Sequence, residues 1–166
     1  MQPKRIVILG IGNILLKDEG VGVRVIERLG KDYRFPPIVA LVDGGTLGLK
    51  LLGTIAGADY LIVVDAVKNG RHPGTLYRFE PTDIPTRVQY KDSFHQVDLL
   101  EVLTLSQYIG NRPETVIIGV EPEDISPWGM ELTPTVQKKV PELMHLVLKE
   151  LDRLRIEYTS IPKSRC

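Results

Sequence analysis

A handful of side chains stand where a chain could use them for chemistry. Glu19, Asp43 and Asp65 each close a short apolar run, and His95 follows a polar stretch in Ser93-Phe94-His95-Gln96. Glu19, Asp65 and His95 together offer two oxygens and one nitrogen, a donor set that leaves coordination positions on a metal open to a substrate or water. Any of the three acids could instead serve as a general base. The imidazoles of His72, beside Pro73-Gly74, and His145, inside an amphipathic stretch, are read as surface or structural groups.

The elements that must carry these residues are legible from periodicity. Ile6 to Leu9 is a short apolar strand that breaks into Gly10-Ile11-Gly12-Asn13, after which Val21, Val25 and Leu29 recur at helical spacing up to a stop at Gly30. Asp18 falls where an N-cap belongs and Glu19 in the first turn, where the helix dipole favours negative charge. Gly20 and Gly22 each cost about 1 kcal/mol relative to alanine in a helix, so something is expected to approach that turn closely. Ile38 to Val42 forms a second strand ending in Asp43-Gly44-Gly45-Thr46, and Tyr60 to Val64 a third, apolar throughout as a central strand should be. Right-handed crossovers bring the ends of these strands, with their acids, to one edge of a parallel sheet, which is where open α/β sheets hold ligands.

Thr75 to Glu80 alternates as an edge strand would. The irregular run from Pro81 to Asp92 delivers the chain to a helix whose capping box is Ser93 and Gln96. There His95 occupies the first turn, where the imidazolium is disfavoured and a lone pair stays available. A further strand, Val116 to Val120, ends in Glu121-Pro122-Glu123 and a loop through Trp128, Gly129 and Met130 that would expose apolar surface at the same edge. Thr133-Pro134 opens a last helix of some twenty residues, with Thr133 as its N-cap. The tail from Ile156 is expected to fray, and residues 1–166 to form one domain.

Several familiar sites fail on inspection. Gly10-x-Gly12 has Leu15 where a dinucleotide fingerprint needs its third glycine, and no Walker loop, nucleophile elbow or H-E-x-x-H occurs. Lys+Arg and Asp+Glu are both 21 among 166 residues, giving no net charge and no basic stripe to follow a phosphate backbone. Nucleic acid is thereby set aside as a partner. The one cysteine, Cys166, cannot form an internal disulfide. No run of about 18 apolar residues or leader-like cleavage site is present, so no membrane association and a cytoplasmic protein are expected.

Taken together, GIGNILLKDEGVGVRV from Gly10, DGGT at Asp43 to Thr46, VVDAV around Asp65, FHQ at Phe94 to Gln96 and GVEPEDISPWGMELTPTV from Gly119 resemble the hydrogenase maturation endopeptidases. The resemblance runs through nearly the whole chain in matching order. It implies a three-layer α/β/α fold of the phosphorylase/hydrolase-like kind, with a five-stranded, mostly parallel mixed sheet flanked by helices. It also implies an endopeptidase, classed with the aspartic peptidases, that removes the C-terminal extension of the nickel-iron hydrogenase large-subunit precursor after nickel insertion. In that family the metal is nickel supplied by the precursor and not permanently held. Glu19, Asp65 and His95 match its three metal-contacting positions. Asp43, with Gly44, Gly45 and Thr46, matches a substrate-handling turn, and Trp128 lies on a loop able to contact substrate. Many relatives read Asp-Asp where this chain has Asp18-Glu19. The catalytic base stays open among Glu19, Asp43 and Asp65. A non-proteolytic nickel checkpoint or chaperone on the same precursor, or a metallohydrolase with its own zinc, would use the same ligands.

Overall fold

The computed structural model describes residues 5–45, 48–81 and 94–164, with the backbone alone over 94–98. Five strands form one sheet in which β3 (Val39–Gly45), β1 (Ile6–Ile11), β4 (Tyr60–Ala66) and β6 (Glu114–Val120) lie side by side in parallel. The antiparallel edge strand β5 (Leu76–Phe79) completes it against β6. This is the mixed, mostly parallel sheet that the family resemblance implies, with Tyr60 to Val64, read from its apolar run as a central strand, in the middle.

Strand alternation divides the core into two layers. In β1, Ile6 and Ile8 face one cluster and Val7, Leu9 and Ile11 the other, because successive side chains leave opposite faces of a strand. The first cluster is closed by α1 (Val21–Asp32) and the C-terminal helix through Val25, Leu29, Leu143, Val147 and Leu151. The second is closed by Ile55 of α2 (Leu52–Ala56) and by Leu99, Val102 and Leu103 of α3 (Phe94–Ile109). Helices cover both faces, as a parallel sheet requires.

Four local expectations are corrected. Helix α1 runs past Gly30 to Asp32, since Gly30 needs no left-handed turn there and its neighbour Leu29 is fully buried. The last helical stretch is two pieces, α4 (Pro134–Gln137) and α5 (Val140–Arg153), with Pro141 in the first turn of the second. A proline donates no backbone hydrogen bond and is best tolerated at such a start. Thr133 precedes α4 but makes no side-chain cap. Finally, the tail from Ile156 to Ser160 is not frayed: Ile156 is buried, Thr159–Ser160 (β7) pairs antiparallel with Tyr33–Arg34 (β2), and Tyr158 packs edge-on to Tyr33 with ring centroids 5.8 Å apart.

Candidate active site at the carboxyl edge of the sheet

Asp65 is the penultimate residue of the central strand β4, and its carboxylate accepts a hydrogen bond from the Ala66 amide at 2.8 Å. Only 2% of its surface is exposed. Burial pushes the carboxyl well above the usual carboxylate range; the Ala66 amide opposes that shift, and the negative charge of Glu19 adds to it. Glu19 itself lies in a single 3-10 turn, Lys17–Gly20, packed on β4. The fold therefore brings these two acids together, one half-exposed and one buried, at the edge where all four parallel strands end.

A pair of like-charged oxygens in a poorly hydrated place repels, and a bound cation would relieve that repulsion. Among the described residues no third His, Cys, Asp or Glu joins them. His95 begins in the first turn of α3, as expected, but its side chain lies outside the described residues, as do Ser93, the side chain of Gln96, and Thr46.

Asp43 stands apart. It lies near the end of β3, two residues before Gly45, on the far side of β1 from Asp65, is exposed, and its Oδ1 accepts from the Gly45 amide at 2.9 Å. Gly45 takes φ +50°, the left-handed conformation that glycine adopts without cost. Gly44 instead backs onto the Leu9 and Leu51 side chains. Asp43, Gly45, Gly12, Asn13, Ile14 and Val23 line a cleft of about 290 Å³ beside the Glu19 turn. Across that turn, Trp128 is 79% exposed and Met130 57%, the apolar surface anticipated there. Their loop is stitched to the turn by Lys17 N–H to the Gly129 carbonyl at 2.8 Å and Gly129 N–H to the Leu15 carbonyl at 3.0 Å. His72 and His145 are exposed.

The helix start differs from its expected form. Asp18 does not cap α1, whose N-cap is Gly20 without a side-chain bond. Its carboxylate, fully buried, points away to Glu123, Asp124 and Thr133. The partner that comes close to Gly20 and Gly22 is likewise not a substrate but the chain itself. A Cβ on Gly22 would lie 2.2 Å from the Val64 carbonyl oxygen, and one on Gly20 2.8 Å from Ile14 Cα.

One organising residue escapes the sequence reading. Glu121, 3% exposed, accepts from the amides of Asn69 and Arg71, at 2.9 and 2.6 Å, and from the Tyr77 hydroxyl at 3.4 Å. It thereby fixes the loop that follows Asp65. Its signal was present, since it closes a parallel strand just as Asp65 does.

The fold is an α/β/α sandwich whose parallel strands deliver paired carboxylates and an exposed apolar loop to one edge, a layout that suits a hydrolase. The hydrogenase maturation protease family profile matches residues 23–150. The chain is 38% identical over 161 residues to the hydrogenase 2 maturation protease of Escherichia coli K12, covering 96% of each chain. It is 41% identical over 153 residues to the hydrogenase expression/formation protein HoxM of Azotobacter vinelandii, covering 91% of this chain and 74% of that one. The solved structure of the hydrogenase maturating endopeptidase HybD from E. coli superposes with a TM-score of 0.87 at 39% identity, covering 94% and 97% of the two chains. That of the [NiFe] hydrogenase maturation protease HycI from Thermococcus kodakarensis KOD1 gives 0.73 at 26% identity, covering 90% and 94%. The chain belongs to the hydrogenase maturation protease family.

Proposed function

We propose that this peptidase removes the C-terminal extension of a nickel-iron hydrogenase large-subunit precursor, and that it reads the precursor's nickel through Glu19, Asp65 and His95. The observation that carries the reading is the placement of Glu19 beside the buried Asp65 at the open edge of the sheet. Two carboxylates so arranged repel each other and attract a cation. The nickel is part of the substrate: a precursor without it would leave these oxygens uncompensated and would not be held with its scissile peptide in place. The chain's own residues bind and orient. Glu19 and Asp65 hold the metal-bearing end, the Asp43 turn lines the neighbouring cleft for the polypeptide, and Trp128 and Met130 cover an apolar part of the precursor.

Water attack on the scissile carbonyl needs a proton acceptor, a role open to a carboxylate at this edge. A cytoplasmic place of action is part of the proposal; the single cysteine, Cys166, forms no internal disulfide, and among the described residues no helix is long and apolar enough to cross a membrane.

Incubation of the purified protein with nickel-loaded precursor, followed by mass spectrometry, tests the proposal. Loss of the extension from the loaded precursor alone is expected, with Glu19→Gln and Asp65→Asn inactive. A stable complex whose precursor keeps its full mass would turn the reading into that of a checkpoint protein. Processing unchanged in both variants would remove the site.

A further inference from the structure

Every described bond to the Asp18 carboxylate comes from one segment. Oδ1 accepts from the Thr133 amide at 2.8 Å, and Oδ2 from the amides of Glu123 at 2.9 Å and Asp124 at 3.0 Å and from the Thr133 hydroxyl at 2.8 Å. These donors belong to the loop after β6, not to the helix that Asp18 precedes. The Asp18 amide in turn donates to the Asp124 carbonyl at 3.1 Å. A carboxylate with no exposed surface is costly to bury unless its lone pairs are filled, and here four donors fill them.

The turn so held has little stability of its own. It is four residues of 3-10 helix, a conformation with poor hydrogen-bond geometry, and it begins at Lys17 with φ +51°, a left-handed backbone that costs a non-glycine residue energy unless its surroundings impose it. Lys17 is held by the same loop, its Nζ lying 2.6 Å from Asp124 Oδ2 and 3.2 Å from Ser126 Oγ. Glu19 is the next residue along. Its direction relative to Asp65 therefore depends on ties made by its neighbours.

We infer that Asp18 is a positioning residue: by locking the Lys17–Gly20 turn to the 121–133 loop it holds Glu19 toward Asp65, setting both metal affinity and processing. This rests on the proposed role of Glu19 and Asp65. Side chains that orient a metal ligand without touching the metal typically change affinity or activity about 10- to 100-fold when altered.

The test is calorimetric titration with nickel chloride of the wild type, Asp18→Asn, Thr133→Val and Glu19→Gln, with processing of the loaded precursor measured in parallel. Asp18→Asn turns an amide group toward amide donors; it is expected to weaken nickel binding and processing together by about 10- to 100-fold, with the circular dichroism spectrum retained. Thr133→Val removes one donor and should give a smaller loss in the same direction, and it decides the matter if Asp18→Asn does not fold. Folded Asp18 or Thr133 variants with wild-type nickel affinity overturn the inference, including when processing falls, because the role would then lie in the loop. Wild-type affinity in Glu19→Gln, or no nickel binding by the wild type, overturns the underlying reading. Weak binding in Glu19→Gln alone overturns only the role of Asp18.

Discussion

Gly22 lies where α1 crosses the central strands, and replacing it tests whether that crossing sets the site. A Cβ there would stand 2.2 Å from the Val64 carbonyl oxygen and 2.5 Å from that of Ile11, both backbone atoms with no rotamer to yield. Ordinary contact begins at 3.4 Å, so Gly22→Ala must separate helix and strand by 3.4 − 2.2 = 1.2 Å. Overpacking of this kind costs about 1–3 kcal/mol, a fall in melting temperature of roughly 2–12 °C for a chain of this size. The displacement reaches Glu19, three residues earlier in the 3-10 turn that leads directly into α1, and a misplacement near 1 Å costs about a hundredfold in rate. Calorimetry and precursor processing measure the two effects. The control is Gly53→Ala in α2, where the added carbon meets nothing within 4 Å and should be neutral or stabilise by up to about 1 kcal/mol. A Gly22→Ala protein that melts and processes like the wild type would refute the view that backbone contact at this crossing aims Glu19.

Asp65→Asn is expected to end processing yet raise the melting temperature near neutral pH. A carboxyl held above its unfolded value, as Asp65 is, costs stability as pH rises past about 4 and none below it, so the advantage should vanish as pH falls to that value; a lower melting temperature at neutral pH would contradict this. Glu121→Ala strands the Asn69 and Arg71 amides and should destabilise by about 1–3 kcal/mol. It should also lower the Tyr77 hydroxyl from the value near 12 to which burial and then Glu121 raise it, read by absorbance titration of tyrosinate. Trp128→Ala removes a side chain that is 79% exposed; stability should change by less than about 0.5 kcal/mol while KM for the precursor rises.

Much of this protein is written in local patterns. The continuous apolar run at Tyr60 to Val64 marks a strand covered on both faces, and in the structure Leu61 to Val64 are fully buried in the centre of the sheet. The ordered strand–helix alternation carries Glu19 and Asp65 to one edge because successive right-handed crossovers leave no other direction. What periodicity could not decide was which partner answers each polar group. Asp18 has the sequence of a helix cap, but its four donors come from residues 123–133, over a hundred positions away. Gly22 has the sequence of clearance for a ligand, but the space is filled by Val64. Thr159 and Ser160 have no local reason to be extended and become a strand only against Tyr33 and Arg34. Elements follow from contacts a few residues apart, which a single stretch of sequence contains. The aim of Glu19 follows from hydrogen bonds and steric contacts between distant segments, and these exist only once the chain has folded.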